Sequence, residues 1–311
     1  MPLTQERVLQ TLRICKFNNN HARLLAALTP APVDTPPCCD CPRITTSDFS
    51  FLFPLLAHAS ISVTADLPAV PPRLVLVSTS QLFLHYNLTC RKLGTTAGAS
   101  LAAMGPDRML FVDAVSHMYT GAKEEQEESG RAGWQVDPAR PSGAVKMLRF
   151  GHKDVLAFLL NGIAKHIEEH FMGQPSLILV DDLMPFVYAG VHEADVVEFV
   201  RRLVRLAEST NSTLVTQSAT DLGLPAADML VQSLPLMADV VLVCKGLPSG
   251  YSRDVHGQIS VVHGRRAVIR MLGSEAGKEL QAGVPVPVQV QFKVVDKGVE
   301  FFGSGLSGAV V

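Results

Sequence analysis

The chain predicts an α/β fold in which a mainly parallel sheet is covered by helices on both faces and ends in antiparallel strands. Three observations predict it. Short runs that are apolar at every position alternate with amphipathic helical stretches. The last part of the chain carries strand-like runs with no helix between them. The composition, 47% hydrophobic and 18% charged over 311 residues, suits a chain that buries a sizeable core.

The first fully apolar run is Leu74-Val75-Leu76-Val77. Ser80 is placed to cap a following helix that turns Phe83, Tyr86, Cys90 and Leu93 to one side. Met109-Leu110-Phe111-Val112 is the next strand. A long helix then places Leu156, Leu159, Leu160, Ile163 and Ile167 at helical spacing. Leu177-Ile178-Leu179-Val180 is the third strand, ended by Asp181 and Asp182. The helix over 193–208 has the clearest stripe, Val196, Val200, Leu203, Val204 and Ala207, with Glu198 set to meet Arg202 one turn on. Strands at 213–216 and 240–243 complete the parallel alternation. The runs at 258–262, 288–295 and 299–302 then follow one another directly, with Lys297-Gly298 as a tight turn between the last two.

A parallel sheet extended by antiparallel C-terminal strands is the arrangement of RecA-type nucleotide-binding domains. One domain over 44–311 is expected, after a poorly structured extension over 1–43 rich in proline and holding Cys38, Cys39 and Cys41. A loop insertion near 121–143 carries Glu124, Glu125, Glu127 and Glu128. The N-terminus shows no secretory signal, no stretch approaches the length of apolar sequence that spans a bilayer, and six cysteines are too few and scattered for a disulfide framework. A reducing compartment is expected: cytosol, nucleus, or both. The net charge of −2 excludes a global affinity for polyanions, so any nucleic-acid contact rests on a local patch or a partner.

Asp181-Asp182 at the end of an apolar strand has two readings. It is what a Walker B acid looks like, placed to hold Mg²⁺ near phosphates. Equally, such carboxylates cap the next loop. The phosphate loop decides against an autonomous ATPase: no G-x-x-x-x-G-K-[ST] occurs. The stretch from Gly273 to Lys278 has the wrong spacing and precedes Glu279, and Thr45-Thr46-Ser47-Asp48 offers neither glycine nor lysine. Three further motifs are set aside. The G-x-G-x-x-G match over 303–308 has no helix after it. His166-Ile167-Glu168-Glu169-His170 fits H-x-x-E-H, but Ile167 faces the sheet and turns the histidines toward the flank. Cys38-Cys39-Asp40-Cys41 has no second ligand pair, and no G-x-S-x-G elbow is present. No metal or cofactor is expected.

The segment Gly250-Tyr251-Ser252-Arg253-Asp254-Val255-His256-Gly257-Gln258 joins the last parallel strand to the C-terminal hairpins. Its Arg253, Asp254 and His256 are candidates both for local pairing and for an interface. This segment resembles the corresponding one of the Elongator subunit 6 family. So do Phe292-Lys293-Val294-Val295-Asp296-Lys297, Val299, Phe301-Phe302, Gly305 and Ala309-Val310, and, in the same order, His85-Tyr86, Lys92-Leu93-Gly94 and Leu179-Val180-Asp181-Asp182-Leu183. The resemblance runs from about Asp48 to the C-terminus. It implies a RecA-like fold without Walker motifs and a non-catalytic place in a hetero-hexameric ring with Elongator subunits 4 and 5. It also implies a complex that modifies the wobble uridine U34 of tRNA (the mcm5U, mcm5s2U and ncm5U routes), with the ring binding tRNA and the radical chemistry on another subunit. The departure is at the N-terminus: the family's first core strand is expected near 37–44, where this chain has prolines and cysteines.

In such a ring Arg253 is the first candidate for a contact with a neighbour. Arg201, Arg202 and Arg205 on one helix, and Arg265, Arg266 and Arg270, are the basic groups that could meet tRNA phosphates. A solvated helix face is the competing reading for the first trio.

Overall fold

The structure is a computed structural model; it describes residues 9–14, 73–93, 100–114, 116, 134–136, 145–148, 154–219, 225–247, 252–266, 288–295 and 298–303. In chain order the first elements are strands β1 (Leu9–Ile14) and β2 (Arg73–Ser78), helix α1 (Phe83–Leu93), and strands β3 (Met109–Asp113), β4 (Trp134–Val136) and β5 (Val145–Leu148). Helix α2 (Val155–Glu169), strand β6 (Ser176–Val180) and helices α3 (Met184–Tyr188) and α4 (Glu193–Ser209) follow. Strand β7 (Thr213–Ala219), helix α5 (Pro225–Met237) and strands β8 (Val240–Lys245), β9 (Gly257–His263), β10 (Val288–Val295) and β11 (Gly298–Gly303) complete the set. The chain divides into two compact units, one of residues 53–216 and one of 1–52 with 217–311.

In the unit of residues 53–216 the strand order is β7-β6-β2-β3-β5-β4. All neighbours are parallel except β4, which runs antiparallel to β5. The central strands β2, β3 and β6 are buried at nearly every position. Successive side chains of a strand point to opposite faces, so burial at each position means both faces are covered. Helix α4 buries Val196, Val200, Leu203, Val204 and Ala207, the stripe its sequence predicts, and packs against α2.

The other unit holds an antiparallel sheet in the order β11-β10-β9-β8-β1. Here the sequence reading needs correction. Strand β8, expected to end the parallel series, pairs antiparallel with both β1 and β9. Its apolar run fits either direction of pairing, because burial on both faces does not encode strand polarity. Strand β1 also lies within the stretch expected to be poorly structured. The predicted first strand near 37–44, the Cys38–Cys41 cluster and the G-x-G-x-x-G match beyond Gly303 fall outside the described residues. Among the described residues no helix is long and apolar enough to cross a membrane.

Candidate functional site

Parallel strands end at one edge, and that edge collects polar residues because the strand backbone there runs out of partners. In the unit of residues 53–216, β2 ends in Ser78 and continues into Thr79 and Ser80, while β6 continues into Asp181 and Asp182. The register sets Val77 opposite Val180, so the two polar ends lie side by side. The backbone N–H of Asp181 donates to the Val77 carbonyl at 3.1 Å, which fixes the carboxylate over the end of β2.

Asp181 is 3% exposed. Its Oδ2 receives the Ser80 hydroxyl at 2.6 Å, the Ser80 N–H at 3.3 Å, the Tyr86 hydroxyl at 2.5 Å and the Ser78 hydroxyl at 3.0 Å. The Ser78 Oγ also stands 2.5 Å from the Gln81 carbonyl; with one proton it serves one of the two acceptors at a time. Thr79 Oγ1 is 3.4 Å from Asp181 Oδ1 and donates to the Asp182 carbonyl at 2.8 Å. Asp182 Oδ1 accepts the N–H of Met184 at 3.0 Å and so ties the start of α3. Burial first, and then the adjacent Asp181 charge, push the Tyr86 phenol well above its ordinary pKa. Chemically the cluster is a carboxylate enclosed by donors from the neighbouring strand–helix turn.

Ser80, expected to cap α1, instead gives both its hydroxyl and its N–H to Asp181. Ser78, Thr79 and Tyr86 are partners of Asp181 that the sequence expectation does not include. The sequence carries half of the signal: three consecutive hydroxyl residues, Ser78 to Ser80, close one buried strand, and two acids follow another. Asp113 at the end of β3 is held locally instead, its two oxygens accepting the Ser116 N–H at 2.9 Å and hydroxyl at 2.7 Å.

The segment of Arg253, Asp254 and His256 lies in the other unit, against β10. The His256 N–H donates to the Phe292 carbonyl at 2.8 Å. The Val294 N–H donates to His256 Nδ1 at 3.0 Å, so the imidazole is bound through its unprotonated nitrogen. Asp254 pairs with Lys293 at 3.5 Å. Gly257 is held by close approach: a Cβ there would stand 2.6 Å from the Lys245 carbonyl oxygen and 2.8 Å from the Phe292 ring. Just before these anchors, Arg253 is exposed and forms no ion pair among the described residues.

Of the candidate phosphate contacts, Arg201 and Arg202 both bind Glu198, at 2.5 and 3.2 Å. The hydrogen bonds from Arg201 and then Arg202 hold the Glu198 carboxyl below its usual range. Arg205 is exposed, with no ion pair among the described residues. Arg202 also lines an open groove of about 610 Å³ with His192, Asp154 and Asp195, and the two aspartates oppose an anion there. Arg265 is exposed and Arg266 partly so; Arg270 lies outside the described residues.

The H-x-x-E-H pair departs from expectation. His170 is exposed, but His166 is 1% exposed, packed 4.5 Å from the His170 ring and 5.0 Å from Phe171. Its position three residues after buried Ile163 puts it at the border of the apolar stripe instead of on the flank. Among the described residues no group of three or more His, Cys, Asp or Glu could hold a metal ion.

The comparisons with known proteins agree with the resemblance. A family model described as Elongation complex protein 6 matches residues 46–280. The Elongator complex protein 6 of Xenopus laevis is 26% identical over 253 residues, covering 77% of this chain and 82% of that protein. Those of Mus musculus and Homo sapiens are 24% and 23% identical over 245 and 242 residues, with the same coverage. The match takes in the Asp181 cluster and the Arg253 segment alike, and the chain belongs to the Elongation complex protein 6 family.

Proposed function

We propose that this chain is a non-catalytic subunit of the Elongator complex, a segment of a RecA-like hetero-hexameric ring with Elongator subunits 4 and 5. In that role it helps hold tRNA while the complex modifies wobble uridine U34, in the cytosol, the nucleus or both. The observation that carries the reading is the state of the Asp181 carboxylate. The Ser80 N–H and hydroxyl and the Tyr86 hydroxyl converge on Oδ2, with the Ser78 hydroxyl as a fourth donor when its proton is not on the Gln81 carbonyl, so the lone pairs of that oxygen are taken. An NTPase needs the carboxylate at this edge free to reach Mg²⁺, and it needs a phosphate loop, which the sequence lacks. A fold kept without that chemistry is a fold kept for its surfaces.

Arg253 supports the ring half of the reading. RecA-type rings set nucleotide sites between subunits, where a neighbour's arginine reaches the phosphates. A segment tied to β10 just after Arg253, which leaves the arginine without an ion pair among the described residues, suits that use. For tRNA, Arg205 and Arg265 are better placed than Arg201 and Arg202, whose charge Glu198 already offsets.

Co-expression with subunits 4 and 5 followed by native mass measurement tests the reading, which expects a six-subunit species containing this chain. Failure to co-assemble overturns it. ATP turnover by the isolated chain that Asp181→Ala abolishes would establish the alternative, an active ATPase with a divergent nucleotide site using Asp181 and Asp182.

A further inference from the structure

Helix α1 buries Phe83, Tyr86 and Cys90 on one side, with the Phe83 and Phe111 rings edge to face at 5.0 Å, so it is fixed against its sheet. Its outer side is apolar where water favours polar residues. Leu84 and Leu88, one turn apart, are 54% and 45% exposed, and Leu82 just before the helix is 51% exposed. Among the described residues of 53–216, the other large apolar side chains so exposed are Met172 and Tyr188, elsewhere on the chain. Three such leucines within seven positions form a patch, which single exposed leucines do not.

The patch is also charged in one sense. Arg91 and Lys92 are exposed three and four residues beyond Leu88, and His85 is exposed beside Leu84 and Leu88. No Asp or Glu occurs anywhere between residues 67 and 106, so nothing local in sequence offsets these cations. Neither Arg91 nor Lys92 forms an ion pair among the described residues.

We propose that the outer face of α1 is a docking surface for an acidic amphipathic segment of a partner protein. Apolar side chains of the partner cover Leu84 and Leu88, and its carboxylates meet Arg91 and Lys92. Nucleic acid fits less well. The centre of the face is leucine, from which a phosphate gains nothing, and of the rings of α1 Phe83 and Tyr86 are buried, which leaves His85 alone for a base to stack on. This surface goes beyond the ring reading, which uses the Arg253 loop, and stands or falls separately from it.

A photo-reactive phenylalanine analogue at position 88, introduced into the chain within the assembly purified from its own cells, tests the proposal. The expected cross-link joins another protein, at a segment carrying Asp or Glu one helical turn from apolar residues. A cross-link to RNA, to this chain's own acidic run at 124–128, or to a segment without acids overturns it, as does no cross-link. Two surface variants, Leu84→Ser with Leu88→Ser and Arg91→Glu with Lys92→Glu, are each expected to weaken retention of the cross-linked partner about tenfold or more while leaving the melting temperature unchanged. Arg91→Lys should retain the partner. Unchanged retention in both variants overturns the proposal. A six-subunit mass that persists alongside that result leaves the ring reading intact.

Discussion

The Asp181 cluster and the Arg253 segment are both polar turns that follow a strand, yet they use their charge in opposite ways. At Asp181 the polar groups turn toward one another: a buried carboxylate collects hydroxyls from the neighbouring strand's turn, and Asp182 closes the start of α3. Around Arg253 the backbone and the imidazole of His256 are tied to β10, and the arginine itself is left in solvent. The first spends its charge on holding the sheet edge together. The second spends backbone bonds on holding a charge out. Substitutions at the first should therefore read out in stability, and at the second in assembly.

The largest effect is expected at Asp181. Asp181→Ala removes an acceptor from Tyr86, Ser78 and Ser80 and leaves a buried void beside them. Hydrogen bonds to charged groups contribute about 1.5–3 kcal/mol, and buried donors left unmatched add to that. A loss of about 3 kcal/mol is expected, visible as a lower urea midpoint at unchanged slope. If the variant is as stable as the parent, the cluster does not hold the edge and the comparison fails.

Tyr86→Phe sharpens the same point with a smaller effect, about 1.5 kcal/mol at neutral pH. It also carries a sign that packing alone would not. The folded-state pKa of Tyr86 is raised well above the ordinary phenol value near 10. Below that value the phenol is neutral in both states and adds no pH slope. Above it the unfolded chain releases a proton that the folded chain keeps, so stability falls as pH rises. Urea midpoints measured between pH 9 and 11 should fall more steeply for the parent than for Tyr86→Phe. Equal slopes would sink the assignment.

Much of the fold was legible in the sequence because burial leaves a periodic record. The stripe of α4 and the wholly apolar β2, β3 and β6 are where their patterns put them. Strand direction was not legible at β8, since a run such as Val241-Leu242-Val243 is compatible with a parallel or an antiparallel neighbour. The site was legible by halves. Asp181 and Asp182 stand out as acids ending an apolar strand, but that they meet Ser78, Ser80 and Tyr86 depends on pairing across about a hundred residues, which no local pattern encodes. His166 shows the same limit at short range: the helical angle puts it at the stripe's border, and only the packing of Phe171 decides that it goes inside.

The smallest effect on stability, and the sharpest division between the two regions, is expected at Arg253. The side chain is exposed and has no charge partner among the described residues, so Arg253→Ala should change stability by no more than about 0.5 kcal/mol. The neighbouring Asp254–Lys293 pair is itself exposed on the aspartate side and contributes at most about 1 kcal/mol. Nothing in the isolated chain should register the substitution. The proposed ring with subunits 4 and 5 should register it: a guanidinium that reached a phosphate across an interface would make planar, paired hydrogen bonds that an alanine cannot replace and a lysine replaces only as a point charge. The six-subunit species is expected to lose ground in the order parent, Arg253→Lys, Arg253→Ala at equal melting temperature. If all three assemble equally, the exposed arginine is only a solvated loop residue, and the contrast with Asp181 is one of burial, not of use.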